Sequence, residues 1–408
     1  MKIAQLDNCE YVAVLQRKNY IVDANGNRRC QMLRAIGGRV GPSGPGFYVN
    51  AAGSFCLLTE DNKCSPGKCA VIVEEQLSQY SDSEIDQIID QISQQSIPWK
   101  NDTFKFQITI EHRDCQIHHR SIATRTWGLT ATICTADAKY ASVYTGGYSL
   151  IDLNITTIQI LLEKLHERFI ILQRAGSIKH LVTSVILDEE LAGIFAHECV
   201  GHLREADIAV RYPFTSGHTA GNCSTAIVVY DEPIWEYDDE GIETRPVTLY
   251  AAGQWQGLLH SSRTALREGT ISNGCGRCFW PWNLPIPRQR RTVIGVREAT
   301  AISETLPGDR IEVAGSLGGR SGPTFLLRCQ IGYVYNLGKL VGVVGPLAIY
   351  ADTSTTLATA QALDAKPRIF RGGDGGCFKY GDGPLWVESG GVPLLLSQVH
   401  VTMTHVRE

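Results

Sequence analysis

The chain has 408 residues, enough for two or three domains of ordinary size. It carries 38 lysines and arginines against 42 aspartates and glutamates, a formal net charge of −4, and no strongly basic run. A protein that holds nucleic acid by neutralising its phosphates is therefore not expected. Hydrophobic residues at 43% and charged residues at 20% exclude a mainly disordered chain, and the 40 glycines indicate many turns and much β structure.

The sequence carries no sign of a membrane protein or of an exported one. No window approaches about 18 uninterrupted apolar residues, and the first residues lack the long apolar core of a secretory signal. We therefore expect a cytoplasmic protein without a membrane anchor. The 13 cysteines, an odd number, favour reduced thiols over a disulfide framework and leave one available as a metal ligand.

The first part of the chain alternates strand and helix patterns. Short apolar runs between glycines over residues 1–60 predict strands joined by tight turns, and strands are expected again from residue 104 to 110 and within 120–143. Apolar residues at helical spacing predict one helix from Ser81 onward and a second over residues 158–174. Residues 1–185 are therefore expected to form an N-terminal α+β domain with an α/β sandwich-like arrangement.

A buried strand feeding a helix opens the second part. Residues 181–187 are β-branched and apolar, and Asp188 follows as an N-cap with two acids in the first helical turn. Beyond residue 222 the pattern is almost wholly strand and turn, with strands expected at residues 225–230, 247–251, 292–296, 331–335 and 392–401. The sequence thus predicts an α+β protein whose second domain, residues 186–408, is β-rich.

His197, Glu198 and His202 place two imidazoles and a carboxylate on that helix. Imidazoles are common zinc ligands, and a glutamate beside one of them can take the proton of a metal-bound water. In a straight α-helix, residues five apart point about 140° away from each other, so both rings could not face one ion. Either the helix bulges through an i to i+5 turn, or it kinks before His202, and Gly201 lies where such a distortion is least hindered.

A catalytic zinc site has three protein ligands and an open position for water, so a third ligand is required. Cys377 lies at the end of a glycine-rich turn, residues 372–377, where the backbone could approach an ion closely. A buried, inert thiol is the alternative interpretation of this cysteine. The other histidines are interpreted as ordinary core or surface residues.

Several blocks of sequence, in order, resemble the metallopeptidase family of TldD and PmbA. The HExxxH helix, with Glu205 and Asp207 after it, is similar to the signature of that family. Further similar blocks are residues 237–241, 244–247, 253–257, 285–288, 333–340 and 376–379. The resemblance implies a Zn²⁺ ion bound by His197, His202 and Cys377, with Glu198 as the catalytic general base.

The resemblance also implies sheet and barrel-like parts in the C-terminal domain, and a homodimer or heterodimer with a related subunit that encloses the active sites. The implied activity is zinc-dependent hydrolysis of peptide bonds in unfolded or flexible peptides, including leader or precursor segments of ribosomally made natural products. The paired, metal-less subunit of the family lacks the HExxxH residues, so their presence favours the active role. Leu203 and Ala206 stand where the family has glycines, so the segment after the metal helix is expected to run differently.

Two other functions stay open from the sequence. One is a non-catalytic or scaffold subunit of a heterodimer, and the other is a zinc-dependent acyl or amide transferase in peptide biosynthesis.

Other patterns are interpreted without a role in the chemistry, apart from Arg288, a candidate anchor for a substrate carboxylate. Cys275 and Cys278 form a CxxC without a second pair at zinc-ribbon spacing. Residues 238–240 are interpreted as an exposed turn and residues 314–322 as a loop near the cleft. Residues 279–282 are interpreted as core, with a groove for apolar side chains of a peptide as the alternative.

Overall fold

The computed structural model describes residues 11–23, 28–39, 46–49, 55–57, 103–117, 120–134, 140–216, 226–297, 306–372 and 376–404, with residues 87 and 90. The helix predicted from Ser81 lies outside the described residues except at Gln87 and Asp90, which are helical. Strand dominates the described part of the chain, and the predicted α+β class is confirmed. None of its helices is both long and apolar enough to cross a membrane.

A seven-stranded antiparallel sheet forms the described N-terminal half. Its strands are β1 (Tyr11–Asp23), β2 (Arg28–Arg39), β3 (Gly46–Val49), β4 (Phe55–Leu57), β5 (Thr103–Ile117), β6 (Arg120–Cys134) and β7 (Tyr140–Gly147), in the order β4-β3-β2-β1-β5-β6-β7. Alternate residues of β5, Phe104, Phe106 and Ile108, share a core with the apolar face of α1 (Ile155–Gln173). The helix predicted at 158–174 is confirmed as α1.

The C-terminal half is built mainly of short strands. They are β8 (Leu181–Leu187), β9 (Ile227–Glu232), β10 (Val247–Ala251), β11 (Gln254–Trp255), β12 (Gly276–Arg277), β13 (Ile286–Pro287), β14 (Arg291–Val296), β15 (Arg310–Arg320), β16 (Thr324–Asn336), β17 (Lys339–Val344), β18 (Leu347–Asp352), β19 (Gln361–Ala362), β20 (Arg368–Arg371), β21 (Cys377–Lys379), β22 (Asp382–Leu385), β23 (Glu388–Gly391) and β24 (Leu394–Met403). The helices are α2 (Glu189–Ala196), α3 (Ala206–Ala209), α4 (Ser262–Glu268) and α5 (Thr353–Thr359).

Five of these strands close a barrel. They pair in the order β15-β8-β24-β18-β16, and β16 pairs back onto β15, with β17 added outside β16. Strands β8 and β15 run parallel, because the chain between them passes through α2 and the strands β9 to β14. The remaining barrel pairs are antiparallel. The barrel-like part that the resemblance implies is thus present.

A six-stranded sheet, in the order β11-β10-β9-β14-β23-β20, lies on the other side of α2. The helix contributes Leu191 and Phe195 to one core with residues of both the barrel and the sheet. Strand β23 of this sheet lies close to α2, since a Cβ added to Gly391 on β23 would lie 2.7 Å from the Cβ of Ala192 on α2. The element that carries the histidines is therefore held on two sides.

The segment predicted as a loop at residues 314–322 is mostly strand, and that prediction is wrong. Residues 310–320 form β15, which pairs with β16 through a register shift between Ser316 and Gly319. Small residues at these positions are typical of a turn. Here the glycines accommodate the β-bulge, and β16 supplies the backbone hydrogen bonds that make the segment a strand. The predicted boundary at residue 185 falls within β8, and the division into residues 1–185 and 186–408 stays a prediction.

A buried ion pair joins the two halves of the protein. Arg168 on α1 donates to the carboxylate of Glu190 on α2 at 2.8 Å and to the carbonyl oxygen of Ser142 on β7 at 2.7 Å. The other oxygen of Glu190 accepts from the backbone N–H of Ser316 at 3.0 Å. Both charged side chains are buried, so each depends on the other to offset the loss of water.

We expect Arg168→Met to lower the free energy of unfolding by about 3 kcal/mol, because it leaves the Glu190 carboxylate buried without its strongest partner. Arg174→Met, at the exposed end of the same helix, is the matched control and should change it by less than about 0.5 kcal/mol. Denaturant unfolding of the full chain measures both. Equal stabilities of the two variants would contradict the role of the pair.

Candidate active site

The helix that carries the histidines begins as the sequence predicts. Asp188 is its N-cap, and its side chain accepts the backbone N–H of Leu191 at 2.8 Å. After Ala196 the helix widens into one π-helical turn, His197–Gly201, in which the N–H of His202 bonds the carbonyl oxygen of His197. Of the two predicted distortions, the i to i+5 turn is the one that the structure has.

Gly201 is needed for a reason that differs from the predicted one. Its backbone lies in the ordinary right-handed region, with φ −55° and ψ −58°, so the turn does not use the freedom of glycine. A Cβ at this position would lie 1.7 Å from Oε1 of Gln289, whose side chain is fully buried. Glycine is required here because another segment packs directly against the turn.

The structure brings His197, His202 and Cys377 together. Their donor atoms all lie within 4.8 Å of one another, and all three side chains are buried. Sγ of Cys377, the first residue of β21, is 3.4 Å from Nε2 of His202. An ion with zinc–nitrogen and zinc–sulfur distances of ordinary length would separate two such donors by about 3.6 Å in tetrahedral geometry. The donor set and its spacing therefore fit a zinc ion.

The sulfur and the imidazole stabilise each other electrostatically. Burial alone would raise the pKa of the Cys377 thiol, but the charge of His202 and hydrogen bonds from both imidazoles outweigh it and hold the pKa well below its ordinary value. Burial would lower the pKa of His202, and the charges of Cys377 and Glu205 raise it well above its ordinary value. The cysteine thus favours the thiolate form, which is the form that binds a metal.

A buried carboxylate orients the second histidine. Oε2 of Glu205, a fully buried residue, lies 3.2 Å from Nδ1 of His202, which leaves Nε2 facing Cys377. The same carboxylate accepts from the backbone N–H of Gln289 at 3.2 Å and pairs with Nζ of Lys379 at 2.9 Å. Burial would raise the pKa of Glu205, but the charges of Lys379 and His202 outweigh it and lower the pKa to about 2.

Glu198 points to an open cleft beside the three buried residues. It is partly exposed, and one of its carboxylate oxygens accepts the hydroxyl of Ser321 at 2.8 Å. Gly319 makes room for it, since a Cβ there would lie 2.7 Å from Cγ of Glu198. The described lining of the cleft is His197, Glu198, His202, Gly319, Arg320, Ser321, Gly376, Cys377 and Phe378. The four predicted site residues thus share one cleft, and the turn residues 373–375 lie outside the described part of the chain.

Arg288 is not available to a substrate, and its interpretation as a carboxylate anchor is wrong. It is fully buried and donates to the backbone carbonyl oxygens of Cys377 and, at 3.2 Å, Asp382. Its role is to hold the hairpin of β21 and β22 that carries the sulfur. Sequence reasoning missed this role because the contact depends on a hairpin about ninety positions along the chain.

Three other interpretations can be compared with the structure. The predicted turn at residues 238–240 is present, but Asp238 is buried and accepts the backbone N–H groups of Glu240, Ile242 and Gly276, so its predicted exposure is wrong. Cys275 and Cys278 are fully buried, which fits packing. Phe279 and Trp282 belong to a small core with Leu15, Ala35 and Leu385, so the predicted core role of residues 279–282 is confirmed for these two side chains.

Sequence reasoning did not assign Ser321 and Lys379 to the site. The alternation of a strand gives a signal for Lys379, because it follows Cys377 by two positions and therefore shares its face of β21. No comparable signal exists for Ser321, which lies just beyond the end of β15. Leu203 and Ala206, the two departures from the family pattern, are both fully buried, and Leu203 belongs to the core that also holds α2.

Comparison with known proteins identifies the family. Residues 181–402, just over half of the chain, match the family described as PmbA/TldA metallopeptidase C-terminal domain. The chain belongs to the TldD/PmbA family. The family resemblance inferred from the HExxxH helix and the later blocks is thereby confirmed, and the chain is a member of a metallopeptidase family.

Curated relatives in the family carry the same general name. The chain is 30% identical over 230 residues to a metalloprotease of Synechocystis sp., covering 53% of this chain and 49% of the relative. It is 25% identical over 260 residues to the zinc metalloprotease TldD homolog of Saccharolobus solfataricus, covering 61% of this chain and 58% of the relative. The chain thus spans about half the length of the curated relatives it matches.

Two solved structures share the fold over nearly the whole chain. TldE from Thermococcus kodakarensis is 14% identical, with a TM-score of 0.63 and coverage of 96% of both chains. A protein from Thermotoga maritima is also 14% identical, with a TM-score of 0.64 and coverage of 96% of this chain and 95% of the other. At this level of identity the likeness extends to the fold of the family and not to its activity.

We expect Gly201→Ala to lower the free energy of unfolding by about 2 kcal/mol, because its Cβ would overlap the buried Gln289 side chain. Gly295→Ala, on β14, is the matched control, since a Cβ there meets nothing within 4 Å. The double variant Gly201→Ala/Gln289→Ala should be less destabilised than the sum of its two single variants. Denaturant unfolding tests this, and strict additivity would rule out the overlap.

Proposed function

We propose that this member of the family is a zinc-dependent metallopeptidase that hydrolyses peptide bonds in unfolded or flexible peptides. The observation that carries the proposal is the meeting of two imidazoles and a thiolate-favouring cysteine in one cleft, with the Glu198 carboxylate beside them. Three protein ligands and an open side correspond to a catalytic rather than a structural zinc site. The names of the curated relatives support the same class of reaction.

Zinc bound by His197, His202 and Cys377 would polarise the scissile carbonyl and acidify a bound water. Glu198 would take the proton of the attacking water and return it to the leaving amine. The Ser321 hydroxyl, by donating to Oε2 of Glu198, fixes the rotation of this carboxylate and leaves its other oxygen for the proton transfer. By accepting a hydrogen bond from Nδ1 of His202, Glu205 would leave Nε2 free to bind the metal.

The edge of β15 offers a place for the substrate backbone. Strand β8 pairs with β15 only as far as Val313, because the chain then turns into α2. Gly319 and Arg320 lie further along β15, pair with β16 on one side and line the cleft. An extended peptide added as a strand here would be held by its main chain, which suits unfolded substrates without strict side-chain requirements.

The biological setting is also part of the proposal. We propose peptide maturation in the cytoplasm, on leader or precursor peptides, by a homodimer or a heterodimer with a related subunit. A scaffold subunit is less favoured, because it has no use for a carboxylate in the cleft that the three candidate ligands line. Transfer of the acyl group to an amine instead of water would use the same residues, and mass analysis of products formed in the presence of an amine separates the two reactions.

Glu198→Gln should retain zinc and lose peptide cleavage by a factor of about 100 to 10,000, because the amide cannot accept the proton. Glu189→Gln, in the first turn of α2 and outside the cleft lining, is the matched control and should cleave normally. Zinc content and cleavage of an unfolded protein substrate are measured on the same preparations. A zinc-loaded unaltered chain that cleaves no peptide would favour the scaffold alternative.

Cys377→Ala should purify with much less zinc than the unaltered chain, because it removes the sulfur ligand. Cys329→Ala, another buried cysteine that lies in the barrel strand β16, is the matched control and should keep its zinc. Elemental analysis of the purified proteins gives the stoichiometry. Unchanged zinc in Cys377→Ala would remove that residue from the site.

A further inference from the structure

Lys379 is buried where the two ligand-bearing segments meet. Its ammonium group lies 2.6 Å from a carboxylate oxygen of Asp207, 2.9 Å from Oε2 of Glu205 and 2.8 Å from the carbonyl oxygen of Pro287. An ammonium group has three N–H donors, so these three acceptors satisfy it completely. Burying a charged ammonium group costs desolvation free energy, so packing alone does not explain why a lysine occupies this position.

One carboxylate oxygen connects Lys379 to a metal ligand. Oε2 of Glu205 lies 2.9 Å from Nζ of Lys379 and 3.2 Å from Nδ1 of His202. The other oxygen of this carboxylate accepts the backbone N–H of Gln289, and the contact with Lys379 holds the oxygen that lies next to the imidazole. The ammonium of Lys379 therefore fixes the acceptor that orients His202.

The backbone connects Lys379 to the other ligand-bearing segment. Lys379 and Cys377 lie two positions apart on β21, so their side chains leave the strand on the same face. A shift of the hairpin that moved the sulfur would also break the contacts of the ammonium with Glu205 and Asp207. The side chain thus spans from the strand of Cys377 to the segment that follows His202.

We propose that Lys379 is a positioning residue that clamps the Cys377 hairpin to the His202–Glu205 pair and thereby sets the affinity and geometry of the metal site. This inference rests on the proposed function, because it concerns the same three ligands. Residues in outer contact with metal ligands typically change metal affinity by a factor of about 10 to 100 when removed. The clamp therefore predicts an effect on metal binding that is separable from catalysis.

Cobalt(II) is the probe, because a thiolate ligand gives it a charge-transfer absorption band that reports on the sulfur–metal bond. We expect Lys379→Met to raise the cobalt dissociation constant, measured by chelator competition on the full chain, by a factor of about 10 or more. The thiolate band should weaken as well. Lys339→Met, which removes an exposed lysine from β17, is the matched control and should bind cobalt with unchanged affinity and spectrum.

A second variant answers the question if Lys379→Met fails to fold because it leaves the buried Glu205 carboxylate and the partly buried Asp207 carboxylate without their cation. Glu205→Gln/Lys379→Met keeps the net charge of the unaltered chain and keeps a side-chain oxygen that can accept from His202. Glu205→Gln, which retains Lys379, is its reference. The clamp predicts weaker cobalt binding and a weaker thiolate band in the double variant than in this reference.

Equal affinity and equal spectra in these two proteins would overturn the clamp and leave Lys379 as a structural counter-ion. An unaltered chain that shows no thiolate band with cobalt would overturn the metal assignment itself, and the clamp with it. An unaltered chain that shows the band but cleaves no peptide would overturn the proposed peptidase and leave the clamp standing. The failure of the clamp and the failure of the proposed function are thus distinguishable.

Discussion

One backbone hydrogen bond, from the N–H of His202 to the carbonyl oxygen of His197, is the constraint on which the candidate site depends. With ordinary α-helical bonding, the two imidazoles would point about 140° apart and could not share an ion. The wider turn brings the ring centroids to 4.6 Å. The turn is held by what surrounds it, since α2 is packed between the barrel and the six-stranded sheet and Gln289 lies directly against Gly201. The distortion is thus fixed by tertiary packing rather than by the local freedom of glycine.

The sulfur reaches this turn from a distant part of the chain, and buried charges hold it there. Cys377 and His202 are 175 positions apart, so the ligand set exists only after the β21–β22 hairpin has docked. Arg288 and Lys379 hold the hairpin through carbonyl oxygens and carboxylates, and each is almost fully buried. A charge without a partner in such a place is strongly destabilising, so the arrangement tolerates few alternative positions of the hairpin. This rigidity is what a preformed site for a small cation requires.

The features that could be predicted from the sequence are those that follow from local rules or from a geometric conflict. The cap at Asp188 and the strand Val247–Ala251 follow from residue type and pattern, and the conflict between i, i+5 spacing and α-helical geometry predicted a distortion that the structure contains. The errors concern residues whose environment is set by distant partners. Arginine and aspartate are usually exposed to solvent. Arg288 and Asp238 are nevertheless buried, through contacts that only the assembled fold provides.

The candidate site combines three buried residues that could hold an ion with more exposed residues along the cleft. The three candidate ligand residues are each less than 10% exposed, whereas Glu198 is partly exposed and Phe378, which also lines the cleft, is 62% exposed. Gly319 and Gly376 also line the cleft, and at these two positions it presents main chain rather than side chains. For the peptidase proposed above, an extended segment would reach this main chain more readily than a substrate with a fixed tertiary structure. Under the proposed function, the exposed main chain suits a peptide that is already unfolded, and selectivity would arise where exposed side chains such as Phe378 reach the bound segment.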